Sequence, residues 1–267
     1  MSALLIGADP EFFVRRDGVF ISGHTFECGT KEEPLQTAHG SVQVDGLALE
    51  VNVKPSATRD EFVANILAVV DDLRTIVASS GCEIVAQPTA LFSKEYMKSL
   101  PKNVRQLGCS PDFDAYTMGI NNPPNGRVLF RTGAGHIHLG WTKDAKADDW
   151  DHFSACCDLA RQMDYFVGLR TLIFDRDERR RMLYGKAGAF RPKPYGMEYR
   201  VPSNAWLASQ ELTETIFDAS QAAFEYANAG GDLDNEFEGF AKMCLDKNIT
   251  DWPKLCPDVA KEIVYAD

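Results

Sequence analysis

Three short segments of this chain alternate apolar and polar residues with a period of two, and their polar positions draw on one restricted set of side chains. In residues 47–53 the odd positions are Leu47, Leu49, Val51 and Val53, and the even ones are Ala48, Glu50 and Asn52. In 136–141, Ile137, Leu139 and Trp141 oppose His136 and His138; in 196–201, Met197, Tyr199 and Val201 oppose Glu198 and Arg200. A fourth segment, 11–14, sets Phe12 and Val14 against Glu11, with Phe13 sharing the Glu11 side. Successive side chains of a strand point to opposite faces of a sheet, so each segment has one face for a core and one that carries Glu, Asn, His or Arg.

The rest of the chain sets the fold class. Asp17-Gly18 separates 11–14 from 19–21, and Asp45-Gly46 separates 42–44 from 47–53, two hairpin signals. Thr58 and Glu61 have capping-box spacing, Phe62, Val63, Ile66, Leu67, Val70, Leu73 and Val77 follow at helical period, and Gly81 marks the stop. Residues 82–87 and 127–131 read as strands. The stretch 107–126, rich in Pro, Gly, Asn and Asp, reads as a loop. Trp150, Phe153, Cys157, Ala160, Met163 and Val167 mark a second long helix, and residues 175–195, basic and punctuated by Gly and Pro, read as a functional loop. Strands and helices do not alternate strictly, which predicts an antiparallel α+β layout rather than a doubly wound parallel sheet. With no internal repeat or long linker, 1–267 is expected to be a single domain, mainly helical over 205–267.

Bulk properties narrow the function classes. A formal net charge of −11 sets the average surface against nucleic acid and anionic membranes. The seven cysteines form no CxxC pair, so neither a zinc ribbon nor a disulfide framework is expected, and reduced thiols are. The N-terminus lacks a basic n-region, and no apolar run approaches the roughly 20 residues that span a bilayer. A cytoplasmic protein is the expectation.

A solvated antiparallel face would be expected to carry Lys, Thr, Ser and mixed charges. Glu11, Glu50, Asn52, His136, His138, Glu198 and Arg200 are instead groups that bind metals and phosphates. Three carboxylates with an imidazole suit a hard cation, Mg²⁺ or Mn²⁺; Zn²⁺ is the alternative, through His136 and His138. Acids beside arginines point to phosphoryl transfer. Arg176, Arg179, Arg180, Arg181, Lys186, Arg191, Lys193 and Arg200 make 175–200 basic, and Gly185 and Gly188 would let the backbone approach a phosphate. A solvated charged loop is the plainer reading of that run; nucleic-acid binding is a third, without aromatic interleaving to support it.

Four motifs, in order, resemble the glutamate–cysteine ligase type of amidoligase: residues 7–12 (GADPEF), 49–52 (LEVN), 135–140 (GHIHLG) and 197–200 (MEYR). Residues 185–204 (GKAGAFRPKPYGMEYRVPSN) are similar to the phage-encoded type 2 carboxylate–amine ligases, and the resemblance extends over roughly residues 5–208. It implies a saddle-shaped antiparallel sheet like that of glutamine synthetase, with helices on one face and divalent ions held over it. Motif by motif, Glu11, Glu50 and Glu198 would be metal ligands, His138 a ligand or nucleotide contact with His136 beside it, and Arg200 the grip on the transferring phosphate. The relatives' early strand carries consecutive acids where this chain has Asp9-Pro10-Glu11, so Asp9 would either replace a ligand or cap a turn.

The expected activity is ATP-dependent amide formation through an acyl phosphate, with ATP and Mg²⁺ (or Mn²⁺) as cofactors. Its partners would be a small-molecule or peptide carboxylate and amine, with no nucleic acid or membrane, and an oligomer is compatible. Arg200, Lys186 and Arg131 would stabilise developing charge, and Arg191 would join His136, His138, Lys186 and Arg200 at the nucleotide. The loop 107–125, with Asp112 and Asp114, would close over the site or orient the amine. A non-catalytic nucleotide- or carboxylate-binding module of the same fold and a metal-dependent phosphohydrolase are the competing readings. A phage-encoded protein would work in the host cytoplasm.

Overall fold

The computed structural model describes residues 3–105, 112–121, 128–146 and 149–264. Six strands, β1 (Leu5–Ala8), β2 (Glu11–Arg16), β3 (Val19–Ile21), β4 (Leu35–Gln36), β5 (Gly40–Asp45) and β6 (Ala48–Val53), precede the helix Arg59–Ala78. Then come β7 (Glu83–Val85), β8 (Thr89–Leu91), β9 (Phe113–Asp114), β10 (Gly119–Ile120), β11 (Phe130–Thr132) and β12 (Ile137–Gly140). The helix Trp150–Met163 runs through a π-helical turn, Asp164–Gly168, into the helix Leu169–Phe174. The last strands are β13 (Ala189–Lys193) and β14 (Gly196–Tyr199), and helices fill the remainder.

Every strand pairing among the described residues is antiparallel, as the α+β reading expected. One sheet has the order β1-β12-β14-β13-β9-β10 and another β3-β2-β6-β5-β4, with β7 also on β2; β8 and β11 pair separately. The two larger sheets meet along one stretch of chain. Before Pro10, β1 pairs with β12 (Gly7 opposite His138); after it, β2 pairs with β6 (Glu11 opposite Glu50). Proline has no N–H to give a ladder, and here its carbonyl accepts from the Val51 N–H at 3.1 Å, while the Glu11 N–H crosses to the Ala134 carbonyl at 2.9 Å. Asp9 and Glu11 therefore stand on the seam.

Alternation along the strands sorts side chains as the sequence predicts. Leu49, Val51, Ile137, Leu139, Met197 and Tyr199 are buried in one core with Phe62, Ile66 and Leu73 of Arg59–Ala78, Met163 of Trp150–Met163, and Ile216 of the helix Gln210–Asn228. Each fully buried aliphatic or aromatic side chain contributes about 1.5–3 kcal/mol. A one-residue slip of β6 would exchange Leu49 and Val51 for Glu50 and Asn52 in that core, so the register is firmly set. Phe13 and Ala48, two residues along the face from Glu11 and Glu50, join Phe92, Met97, Leu100 and Val104 in a second, smaller core. That packing accounts for a phenylalanine on the polar side of β2.

Several local readings are corrected. The β5–β6 hairpin turns on Gly46-Leu47, not Asp45-Gly46: Asp45 pairs with Ala48, and Gly46 takes the positive φ (56°) that such a turn needs at its first central position. Leu67 and Trp150 lie off the buried stripes, 48% and 64% exposed. Residues 175–195 are not a loop. Asp177 caps the helix Glu178–Leu183, and β13 follows. Arg180 and Arg181 are buried because their guanidinium groups are occupied: Arg180 donates to the Val201 and Pro202 carbonyls, Arg181 to Asn248. Of the expected loop at 107–126, residues 107–111 and 122–126 lie outside the described residues, as does Arg127 of the expected strand; 112–121 contains the β9–β10 hairpin. No disulfide occurs among the described cysteines, and no described helix is long and apolar enough to cross a membrane.

Candidate active site

The polar faces of both sheets open on one cavity of about 230 Å³ at the seam. Asp9 and Glu11 come from the seam itself, Gln43 and Asp45 from β5, Glu50 and Asn52 from β6, and His136 and His138 from β12 and the residue before it. Arg191 and Lys193 of β13, Glu198 of β14, Arg200, Lys31 and Tyr184 complete the wall. The structure thus brings together Glu11, Glu50, His136, His138, Arg191, Glu198 and Arg200 of the residues singled out from sequence.

The acids fall into two groups. Potential ligand atoms of Asp9, His138 and Glu198 lie within 4.8 Å of one another, and so do those of Glu11, Asp45 and Glu50. In the first group Asp9 Oδ2 is 3.1 Å from His138 Nε2, and Asp9 Oδ1 is 3.1 Å from His136 Nδ1, which is also 3.4 Å from Glu198 Oε1. In the second, Glu11 accepts the Ala134 N–H at 2.9 Å. Gln43 donates its amide to Glu50 at 2.7 Å and accepts from Asn52 at 3.2 Å, which fixes the Glu50 carboxylate from one side.

Cations gather around Glu198. Lys193 Nζ is 2.7 Å and Arg191 Nη1 3.3 Å from Oε2, while Arg200 donates to Oε1 and pairs with Asp112 at 3.3 Å. Arg200 also donates to the Tyr184 hydroxyl, which sits 3.0 Å from His136 Nε2. Tyr184 therefore ties the histidine to the arginine, and the Arg180 and Arg200 guanidinium carbons lie over its ring, 5.3 and 5.4 Å from the centroid.

Burial and like charge dominate the electrostatics. Burial, then the Asp45 charge, pushes the Glu11 carboxyl up to about 8. Glu50 and Asp45 are raised for the same reasons: burial first, then neighbouring acids. Burial also acts to raise Asp9, but the imidazoles of His138 and His136 outweigh it and hold Asp9 well below the usual range. Burial and the Arg200 charge push His136 down to about 3, so its ring is neutral at physiological pH. Burial, with Arg191 alongside, lowers Lys193 to about 8.

These features fit a divalent cation. Asp9 Oδ1, His136 Nδ1 and His138 Nε2 are buried without an aligned hydrogen bond, and three raised carboxyls crowd the second group. Buried polar atoms normally have partners and buried charges normally have counter-ions or metals. An oxygen-rich set with one imidazole suits Mg²⁺ or Mn²⁺.

Two sequence-derived candidates lie elsewhere. Lys186 precedes β13 and lines a different cavity of about 590 Å³ with Asp114, Glu178 and Lys242. The β13–β14 pairing directs Arg191 and Lys193 to the acid site, and Lys186 lies before that pairing begins. Arg131 belongs to β11, which pairs with β8 outside the larger sheets, and it donates to the carbonyls of Val128, Phe130 and Arg105. Asp112 reaches the site through Arg200, whereas Asp114 caps a turn by accepting the Tyr116 N–H at 2.8 Å.

Sequence reasoning passed over Lys31, Gln43 and Tyr184, placed Asp45 in a turn, and counted Lys193 only within the basic run. Period two carried into β5 finds Gln43, and along β13 it places Lys193 with Arg191; Asp45 shares the Gln43 face, but its Asp-Gly pair reads as a turn. Tyr184 and Lys31 follow strand or helix periodicity nowhere.

Residues 129–230 match the family model described as "Phage phiEco32-like COOH.NH2 ligase-type 2". The match takes in His136, His138, Arg191, Glu198 and Arg200 and leaves Asp9, Glu11, Asp45 and Glu50 outside. Solved structures similar to this chain include a glutamine synthetase from Plasmodium falciparum, at 11% identity over 82% of this chain and 52% of that one, with a TM-score of 0.41. A structure described as a novel glutamine synthase homolog aligns at 11% identity over 98% of this chain and 63% of that one, with a TM-score of 0.45. The chain thus spans between half and two thirds of their lengths. No curated protein matches the sequence.

Proposed function

We propose that this protein is an ATP-dependent carboxylate–amine ligase. The observation that carries the reading is the pairing of two acidic ligand groups, Asp9–His138–Glu198 and Glu11–Asp45–Glu50, in one cavity walled by Arg191, Lys193 and Arg200. The family match over residues 129–230 supports the reaction class. In this reading a substrate carboxylate oxygen attacks the γ-phosphorus of ATP, giving an acyl phosphate and ADP. The amine then attacks the acyl carbon, inorganic phosphate leaves, and the amide forms with loss of a proton.

The residues divide the work. Divalent cations, Mg²⁺ or Mn²⁺, held by the two acidic groups would neutralise triphosphate charge and polarise the γ-phosphate. Arg200, fixed by Glu198, Tyr184 and Asp112, and Arg191 and Lys193 beside it would stabilise charge on the transferring phosphoryl group. Neutral His136, bridged to Arg200 by Tyr184, would present Nδ1 beside Asp9 and Glu198. Second partners such as Gln43 on Glu50 orient the ligands, as outer-shell hydrogen bonds do at metal sites.

The test is ADP release from Mg²⁺–ATP with a pooled panel of amino acids, amines and peptides, comparing wild type with Glu198→Gln. Amine-dependent turnover that disappears in the variant is expected. ADP formed without an amine would mark a phosphohydrolase, nucleotide binding without turnover would point to a binding module, and absence of nucleotide binding would sink the ligase reading.

A further inference from the structure

On the core side of the β14 sheet lies a carboxylate that the proposed chemistry does not use. Asp164 is fully buried, at the start of the π-helical turn that interrupts the long helical run. One oxygen accepts the Tyr199 hydroxyl at 2.6 Å; the other accepts the Tyr116 hydroxyl at 2.8 Å and the Gly188 N–H at 2.6 Å. Close approach is built in. A Cβ on Gly168, the last residue of the turn, would stand 2.9 Å from the Tyr199 hydroxyl, and one on Gly188 would stand 2.7 Å from the Tyr116 ring.

Each tie ends beside the cavity. Tyr199 lies between Glu198 and Arg200. Gly188 immediately precedes β13, which carries Arg191 and Lys193. Tyr116 belongs to the β9–β10 hairpin, beside Asp112, whose carboxylate pairs with Arg200. Simple packing would be served more cheaply by an apolar side chain, because burying a charge is costly unless it is hydrogen-bonded throughout. Burial pushes the Asp164 carboxyl up to about 7, so at pH 8 it is mainly a carboxylate that accepts from all three donors, whereas an amide could keep them only if Tyr199 turned its hydroxyl to accept. π-helical turns place side chains where a regular helix would not, and they recur at functional sites.

We propose that Asp164 is a positioning residue: from behind the sheet it sets β14, the start of β13 and the Asp112 hairpin in the arrangement that aims Glu198, Arg191 and Arg200 into the cavity. Asp164 touches no reacting atom in this scheme. The inference rests on the ligase reading for its kinetic consequence, but the geometry predicts an effect on cation binding regardless of the reaction.

The experiment compares wild type with Asp164→Asn, Tyr199→Phe and Tyr116→Phe at pH 8. Mn²⁺ affinity is read by calorimetry, turnover by ADP release, and local order by hydrogen exchange. Asp164→Asn is expected to weaken Mn²⁺ binding and lower kcat about 10- to 100-fold, with the KM for Mg²⁺–ATP changed by less than about threefold. Exchange should rise at Gly188 and Ala115 and stay unchanged in Trp150–Met163. The single hydroxyl deletions should give smaller effects in the same direction, and they carry the test if Asp164→Asn does not fold. Unchanged Mn²⁺ affinity in every folded variant overturns the proposal, as does unchanged kcat where wild type turns over. If wild type shows no turnover with the amine panel, that result bears on the ligase reading alone, and Mn²⁺ affinity decides the role of Asp164.

Discussion

Glu11 and Glu50 stand directly opposite each other in the antiparallel pair β2–β6, with both carboxylates turned to the same cavity. Like charges at opposed positions destabilise a sheet, and burial adds to the cost. Asp45 brings a third acid to the same point. The arrangement becomes favourable only when protons or a cation occupy it.

A pH dependence follows directly. Burial and neighbouring acids raise Glu11 from 4.5 in the unfolded chain to about 8 in the fold, and they raise Glu50 and Asp45 too. A raised carboxyl contributes stability that is fully present below its unfolded value and is lost as pH rises through its folded value. Without divalent cations, the Glu11 contribution to the melting temperature should therefore decline between pH 4.5 and about 8. Cations must displace those protons, so the gain in melting temperature on adding Mn²⁺ should be larger at about pH 8 than at about pH 5.5. Melts in chelator and in Mn²⁺ across this range check it. A Mn²⁺ response of equal size at every pH would overturn the assignment.

Glu50→Gln separates stability from function at the same point. The amide keeps the shape and can still accept the Gln43 N–H, now made at 2.7 Å, while one of the crowded charges is gone. In chelator at pH 8 the variant should be more stable than wild type, by on the order of 1 kcal/mol, as is common where a functional site is strained. Its Mn²⁺ response should shrink sharply. Denaturant titration with and without Mn²⁺ measures both, and a variant less stable than wild type in chelator would contradict the reading.

How far the site could be read from sequence depends on which contacts are local. Glu50, His138 and Glu198 were legible because alternation within one strand assigns a face without knowing its neighbours. Asp45 was not, since Asp-Gly also signals a turn, and only the pairing with Ala48 shows where the strand ends. The basic run at 176–181 misled for another reason. Charge counts do not report burial, and Arg180 and Arg181 bond to carbonyls and an amide that lie far along the chain. The division into two larger sheets hangs on strand partners distant in sequence, which alternation within one strand does not report.

Lys186 and Arg131 provide a control on the boundary of the site. Lys186→Ala should leave turnover within about twofold of wild type, because its cavity is separate from the acidic one. Arg131→Ala should lower stability by about 1–3 kcal/mol, since the carbonyls of Val128, Phe130 and Arg105 lose their donor. Turnover per folded molecule should be retained in Arg131→Ala. A hundredfold loss in Lys186→Ala with normal folding would move the phosphate-binding boundary to the second cavity.

Arg200 is where geometry, rather than charge, should matter most. Its guanidinium donates in three directions, to Glu198, Tyr184 and Asp112. A planar fork can hold those partners together; an ammonium on a flexible stem keeps the charge but not the fan. Arg200→Lys should bind Mg²⁺–ATP nearly as well as wild type and lower kcat by about 10²- to 10³-fold, the scale for losing a fixed donor to transition-state charge. Tyr184→Phe removes one strut of the same frame, leaving His136 Nε2 and one Arg200 bond without that hydroxyl. It should give a smaller kcat loss and a stability loss of about 1–3 kcal/mol. Steady-state kinetics with varied ATP, alongside thermal melts, distinguishes the two. An Arg200→Lys enzyme with wild-type kcat would mean that positive charge alone suffices, and that the bonds from Glu198, Tyr184 and Asp112 serve only the fold.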